Sequence, residues 1–243
     1  MRAEQASLSI FETWVRESKR MVFLGGAGVS TESGVPDFRS ADGLYQREYK
    51  YPPEVMLSRS FFMRHPREFY EFYRDAILLD GIRPNAAHET LARWEAQGKL
   101  SAIVTQNIDG LHQLAGSKNV LELHGSILRN SCMECGRSYA LAHVKHAEGV
   151  PVCACGGIVK PDVVLYEEQL DDDVLERAIS AIMDADLLIV GGTSLSVYPA
   201  AGLIDAYRGV RLVRINLAPT PKDERANLLF RTPIAELLGG MDA

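Results

Sequence analysis

VFLGGAGVSTESGVPDFRS, residues 22–40, carries an apolar run straight into a loop with four glycines in thirteen residues. Such a run reads as a buried strand with a phosphate site at its carboxyl end. Gly26, Ala27 and Gly28 let the backbone approach a pyrophosphate, and helix N–H groups face its charge. The loop is not the dehydrogenase fingerprint. G-x-G-x-x-G needs glycine at 31, where Thr31 stands, and an acidic residue ending a second strand about 20 positions on. Here the chain runs instead into Val35-Pro36-Asp37-Phe38-Arg39. The expectation is a dinucleotide site without simple hydride transfer.

Working outward, five apolar runs read as buried parallel strands: 21–24, 101–104, 120–123, 186–190 and 210–215. Helical patterns at 85–97 and 171–183 lie between them, the alternation of a doubly wound parallel sheet. Each run ends in small, amide-bearing or ionisable residues: GGAGVS, TQNIDGLH, HGS, GGTSLSV and Asn216. Open α/β sheets bind ligands beyond the carboxyl ends of their strands. Turns favour glycine and asparagine, but they do not ask for Gln106, Asp109 and His124.

Two stretches do not fit the sheet. Residues 40–84 are rich in aromatics and prolines and read as a helical excursion, with Phe61, Phe62, Phe69, Tyr70, Phe72 and Tyr73 in a small core. Residues 129–157 hold all four cysteines, Cys132-x2-Cys135 and Cys153-x-Cys155. Four thiols in so short a span predict a tetrahedral, structural zinc site. Disulfides are the alternative, disfavoured in a reducing compartment; His143 and His146 are alternative ligands for one position. The predicted fold is α/β: a Rossmann-like doubly wound parallel sheet with a smaller inserted domain, made of a helical module and a zinc-binding module. The large domain comprises 1–39, 85–128 and 158–243; the small one comprises 40–84 and 129–157.

The bulk properties set outer bounds. The chain has 243 residues, 47% hydrophobic and 24% charged, with a net charge of −6. No basic field gathers nucleic acid, which argues against a zinc-ribbon nucleic-acid binder. Glu4, Glu12 and Glu17 interrupt the N-terminal apolar residues, so no signal peptide is expected. Phe11, Trp14 and Val15 share a helical face there, and Ser9 with Glu12 fits a capping box. No apolar run approaches the roughly 20 residues that span a bilayer. A cytoplasmic protein is expected.

Taken together, GAGVSTESGVPDFR at 26–39, QNIDGLH at 106–112, HG at 124–125, the four cysteines, KPDVVLYEE at 160–168, GTSLSVYP at 192–199 and IN at 215–216 resemble the sirtuins, the NAD-dependent protein deacylases. The resemblance covers nearly the whole chain. It implies that Gly26, Ala27 and Gly28 cradle the NAD pyrophosphate and that Asp37, Phe38 and Arg39 cover the nicotinamide ribose. It implies that Gln106, Asn107, Ile108 and Asp109 line the ribose and nicotinamide pocket, and that Gly192, Thr193, Ser194 and Asn216 meet the adenosine half. His124 is implied as catalytic base, with Asn107 also in a catalytic part. Val164, Leu165 and Tyr166 are implied as the segment that pairs with the substrate peptide and walls the acyl-lysine tunnel. The metal ligands are implied as Cys132, Cys135, Cys153 and Cys155.

The implied reaction consumes NAD. The acyl oxygen attacks the ribose C1′ as nicotinamide leaves, and His124 deprotonates a ribose hydroxyl. The products are free lysine, nicotinamide and O-acetyl-ADP-ribose. Chemistry agrees: carboxamides match the nicotinamide amide, and an imidazole titrates near neutrality. Protein ADP-ribosyl transfer and removal of other uncharged acyl groups are alternatives, as is a non-enzymatic NAD sensor. Acetyl-lysine proteins are the implied partners, with no nucleic acid, no membrane and a monomeric state.

Three departures from the resembled pattern stand out. Gly25 stands where threonine is frequent. Glu167 stands where glycine is frequent, and is expected to add a side chain near the peptide groove. Members that remove succinyl groups carry Tyr-x-x-Arg in the helical excursion. Here Tyr70 is followed by arginine only at 74, one place late and about 100° away on a helix. Uncharged acyl groups are therefore expected.

Overall fold

The computed structural model of the chain describes residues 2–38, 43–46 and 48–241. Among them lie strands β1 (Met21–Gly25), β2 (Leu100–Thr105), β3 (Val120–Glu122), β4 (Gly125–Cys132), β5 (Ser138–Ala140), β6 (Val159–Val163), β7 (Leu187–Gly191), β8 (Leu212–Ile215) and β9 (Leu228–Phe230). The helices are α1 (Arg2–Glu17), α2 (Pro53–Met56), α3 (Arg59–Arg64), α4 (Pro66–Phe72), α5 (Ala86–Ala96), α6 (Leu111–Leu114), α7 (Leu141–Lys145), α8 (Asp172–Asp184) and α9 (Ile234–Gly239).

The parallel sheet runs β3-β2-β1-β7-β8-β9. Phe23 of β1 pairs with Ile103 on one side and Ile189 on the other. The chain therefore winds outward from β1 in both directions, and the crevice above β1 and β7 is the switch point where such sheets bind ligands. Side chains alternate across it. Met21, Phe23, Ile103, Ile189 and Val213 pack under α1, α5 and α9. Val22, Leu24, Val104, Leu188 and Val190 pack on the other face under α8 and residues 200–206. With both faces covered, the strands read as continuous apolar runs rather than alternating ones.

Local signals set the helix ends. Asn85 caps α5 by accepting from the Ala87 N–H at 3.0 Å, and Asp171 caps α8 by accepting from Val174 at 3.0 Å. The predicted cap at Ser9 is not one. α1 begins at Arg2, and Ser9 lies inside it, its carbonyl accepting from the Thr13 hydroxyl. The run at 210–215 pairs only from Leu212, because Val210 is 80% exposed in the preceding turn. β9 is a sixth parallel strand that sequence reading missed. Three residues, of which Leu229 points outward, are too few to show a pattern.

The second sheet is antiparallel, in the order β5-β4-β6. It shares one core with the helical excursion: Phe62, Phe69, Tyr70 and Tyr73 pack with Ile127, Val144, Val159 and Val163. Cys132 and Cys153 belong to the same cluster.

Candidate active site

The carboxyl ends of β1, β2, β7 and β8, the turn after β3 and the segment after β6 open on one cleft of about 740 Å³. Ala27, Gly28, Asp37, Phe38, Gln106, Asn107, Ile108, Asp109, His124, Val164, Leu165, Tyr166, Gly192, Thr193, Ser194 and Asn216 all line it. Gly26 lies just behind that wall, its N–H donating to the Gly191 carbonyl at 3.2 Å. Arg39 lies outside the described residues.

The glycines serve first to bring two loops together. A Cβ on Gly28 would stand 2.8 Å from the Gly192 Cα, and one on Gly192 would stand 2.4 Å from the Val29 amide. Gly192 also has φ +60°, a conformation glycine adopts at little cost. The loops after β1 and β7 thus touch backbone to backbone, which the Gly28 N–H bond to the Gly192 carbonyl at 2.8 Å seals. Gly25 has a similar reason: a Cβ there would meet the Phe23 ring at 2.6 Å.

Beside these loops lies a wired polar floor. Ser30 donates to Asp109 Oδ2 at 2.7 Å and accepts from Asn107 Nδ2 at 3.0 Å. The Leu111 N–H donates to Asp109 Oδ1 at 2.9 Å. Burial pushes the Asp109 carboxyl up, and the Leu111 and Ser30 bonds oppose it. Gln106 Nε2 donates to Thr193 Oγ1 at 3.1 Å, tying the end of β2 to the end of β7. Asn216 holds its own turn by donating to the Ala218 carbonyl at 2.7 Å, and the Ser194 and Ser196 hydroxyls lie 2.7 Å apart. Sequence reading missed Ser30 as a site residue. The signal was its place inside the glycine loop, opposite the β2 amides. Glu32, which accepts from the Ala235 N–H at 2.7 Å, was missed as well.

His124 stands in the turn between β3 and β4. Its Nδ1 lies 2.9 Å from the Gln106 carbonyl oxygen. A carbonyl only accepts, so Nδ1 carries the proton and Nε2 keeps a lone pair. Burial pushes the imidazole pKa below its ordinary value, with the Gln106 bond opposing. The ring is therefore neutral at neutral pH, with the protonation a general base needs. His88 and His112 lie deeper, ring centroids 4.7 Å apart, and His88 stands 3.5 Å from Ser30.

The segment 164–166 is held as an extended edge. The Val164 N–H donates to the His124 carbonyl at 2.9 Å. Tyr166 N–H donates to the Leu57 carbonyl, and the Arg59 N–H donates to Tyr166, each at 3.0 Å. The Tyr45 and Tyr166 hydroxyls meet at 2.6 Å. Glu167 adds a side chain beside this segment in the cleft wall, as expected. It takes φ +73°, and its carboxylate accepts from the Ser60 N–H at 2.8 Å and the Ser60 hydroxyl at 2.9 Å, at the start of α3. It clamps the segment to the helical excursion.

Arg74 turns away. The chain after α4 continues as a π-helical turn, Tyr73–Ile77, and the guanidinium donates to the Val144 and Gly149 carbonyls while lying over the Tyr70 ring.

The four cysteine sulfurs lie within 4.8 Å of one another, with Cys132–Cys155 at 3.5 Å and Cys135–Cys153 at 3.6 Å. Disulfide sulfurs would be about 2.05 Å apart, so these thiols are free. Zn–S bonds of about 2.3 Å imply tetrahedral edges near 3.8 Å, and the sulfurs fit that cage. The Cys155 backbone N–H draws the Cys153 thiol down to about 6 and the Cys135 N–H lowers Cys132, while Cys155, despite the Gly157 N–H, is pushed up by the neighbouring thiols; two of the four thus lean toward the thiolate a metal takes. His143 is not in the cluster; it stacks on Tyr139 at 4.2 Å.

Comparison with known proteins agrees with this geometry. The Sir2 family model matches residues 26–199. An NAD-dependent protein deacetylase of Clostridium acetobutylicum is 59% identical, covering 92% of this chain and 93% of its own. Another, of Clostridium perfringens, is 56% identical over 93% of this chain and 94% of its own. A solved Sir2 variant with deacetylated p53 peptide and 3′-O-acetyl ADP ribose superposes with a TM-score of 0.87 at 39% identity, over 95% of each chain. A Sir2 complex with p53 peptide and NAD+ gives 0.84 at 39% identity, again over 95% of each.

Proposed function

The chain belongs to the Sir2 family, and on that premise we propose that His124 is the general base of its reaction. The activity itself is NAD-dependent deacetylation of protein lysine. NAD is consumed as co-substrate, and the four cysteines are positioned to bind one structural metal ion. Zinc is the ion their chemistry suits.

The observation that carries the assignment is the His124–Gln106 bond, which leaves Nε2 unprotonated in the wall of the shared cleft. Asn107, Asp109 and Ser30 hold the carboxamide end of NAD, with Asn107 also positioning the reacting centre. Gly26, Ala27 and Gly28 meet its pyrophosphate, Asp37, Phe38 and Arg39 close over the ribose, and Thr193, Ser194 and Asn216 meet the adenosine half. The segment Val164–Tyr166 takes the substrate peptide. NAD supplies, when bound, the ribose carbon that nicotinamide leaves and the acyl oxygen joins. The protein supplies alignment, since an amide oxygen is a poor nucleophile and holding reactants in line replaces much of the barrier. His124 Nε2 takes the proton from a ribose hydroxyl. The domain built on the parallel sheet holds NAD, and the small domain built on the helical excursion and the β5-β4-β6 sheet closes the acyl end. A monomer is the proposed state. No helix among the described residues is long and apolar enough to cross a membrane, and free thiols suit the cytoplasm.

Nicotinamide release from NAD, with and without an acetyl-lysine peptide, tests this. Peptide-dependent release matched by O-acetyl-ADP-ribose is expected. Peptide-independent release would point to glycohydrolase or ADP-ribosyl transfer, and NAD binding without release would point to a sensor.

A further inference from the structure

One carboxylate gathers the loop that follows β8. Asp223 accepts from the Thr220 N–H at 2.9 Å and from the Thr220 hydroxyl at 2.8 Å. It also accepts from the Arg214 guanidinium at 2.6 Å and from the guanidinium of Arg231. Arg214 comes from β8 and is fully buried. Arg231 directly follows β9 and is partly exposed. A buried cation is costly unless a carboxylate stands beside it, so Arg214 fixes the place of Asp223.

Arg231 carries that order to the cleft. Its Nη2 donates to Asp223, and its Nη1 donates to the Ala218 carbonyl at 2.7 Å. The same carbonyl accepts from Asn216 Nδ2, also at 2.7 Å. Asn216, Leu217 and Ala218 line the cleft, as do Thr232 and Pro233, whereas Arg231 does not. The Asn216 backbone is fixed separately, its N–H donating to the Phe230 carbonyl at 3.0 Å. What the Ala218 carbonyl sets is therefore the Asn216 side chain. With Nδ2 committed, Oδ1 is the end of the amide that accepts, and ribose hydroxyls donate. An arginine suits this joint because its planar fork meets two acceptors at a fixed angle, which the point charge of a lysine does not.

We propose that Arg231 is a positioning residue for NAD: held by Asp223, it fixes the Ala218 carbonyl and through it the Asn216 amide at the adenosine end of the cleft. This rests on the reading that Asn216 meets the adenosine half of NAD. Arg231 acts through Asn216 rather than on NAD itself.

The test measures kcat and the KM values for NAD and for an acetyl-lysine peptide in Arg231→Ala, Arg231→Lys, Asn216→Ala and the double variant Arg231→Ala/Asn216→Ala. All four keep the buried Arg214–Asp223 pair. Arg231→Ala should raise KM for NAD about fivefold, the worth of one hydrogen bond, with kcat and the peptide KM within about twofold of wild type. Arg231→Lys keeps the charge but loses the fork, and should raise KM for NAD by about threefold or more. The double variant should bind NAD no worse than Asn216→Ala alone, because the two residues act in series. A merely structural Arg231 would instead lower kcat with the folded fraction, and its effect would add to that of Asn216→Ala.

That additive result would overturn the assignment of Arg231. So would an unmoved KM for NAD in Arg231→Ala, or a wild-type value in Arg231→Lys. In each case a raised KM for NAD in Asn216→Ala would leave the adenosine reading standing. An unchanged KM for NAD in Asn216→Ala would overturn that reading, and this proposal with it.

Discussion

The Gln106 carbonyl holds the proton of His124 on Nδ1, 2.9 Å away, and so delivers Nε2 to the cleft as a lone pair. A main-chain acceptor does here what a carboxylate does in many hydrolases, without adding a second charge. The first prediction follows. His124→Ala loses about a thousandfold or more in kcat, while NAD affinity by calorimetry changes little. Because burial lowers the imidazole pKa, the acid limb of kcat/KM should fall below the ordinary histidine value of about 6.5. A limb well above that value would contradict the neutral-base assignment.

Removing the metal should abolish activity although no thiol lines the cleft. Cys132 and Cys153 belong to the core that also packs Tyr73, Val163 and Leu165, three residues of the cleft wall. Cys132→Ser, or exhaustive chelation, should cut bound zinc to well under one equivalent and lower the melting temperature together with peptide turnover. Elemental analysis beside a thermal melt checks it. Full activity in metal-free protein would refute it.

Glu167 sets two effects against each other. Its left-handed backbone costs about 1 kcal/mol in any residue with a Cβ. Its carboxylate at Ser60 returns about as much, as helix caps do. Glu167→Gly should therefore be nearly neutral in stability, whereas Glu167→Ala keeps the strain, loses the clamp and should cost about 1 kcal/mol. Both should raise KM for the acetyl-peptide and leave KM for NAD alone. Equal urea midpoints for the two variants would show the strain to be absent.

Gly28→Ala should fail at the meeting of the loops after β1 and β7. Its Cβ would stand 2.8 Å from backbone that cannot yield like a side chain. An NAD dissociation constant raised tenfold or more is expected, about 1.4 kcal/mol, with a lower melting temperature. Unchanged NAD titration would show that the two loops can part without harm.

Acid should destabilise the fold from an unusually high pH. Burial lowers His88 to about 4 and His112 to about 3, against about 6.5 in the unfolded chain. The unfolded state therefore binds more protons between those values, and stability is full above pH 6.5 and declines below it. By pH 5 each histidine should have cost about 2 kcal/mol. Asp109, raised by burial, works in the opposite sense, so the measurement is the net fall in urea unfolding energy from pH 7 to 5. His112→Asn should reduce it. A net fall below about 0.5 kcal/mol would contradict the burial argument.

Much of the fold was legible because two signals are local. Buried parallel strands are apolar throughout, as at 21–24 and 186–190, and glycine must stand where backbones touch, as at Gly28 and Gly192. The sulfur cage was legible from spacing alone. β9 was not, since three residues carry no period. The false cap at Ser9 shows the reverse failure: a capping pattern inside a helix is silent once the chain is already helical upstream. Among site residues, Gln106, Asp109 and His124 could be named from strand ends and Asn107 from the resemblance, but their wiring could not.

By itself, then, the sequence determined the α/β class and the thiol cluster, because these depend on residue type and near-neighbour spacing; most of the groups brought to the cleft were implied by the resemblance of their motifs. Only the tertiary structure decided which nitrogen of His124 is free and where the Glu167 carboxylate goes. Each of these turns on a partner distant in the chain: 18 residues away for His124 and Gln106, and 107 for Glu167 and Ser60. Hydrogen bonds are directional and short-ranged, so such pairings are settled only when the folded backbone sets the two groups face to face.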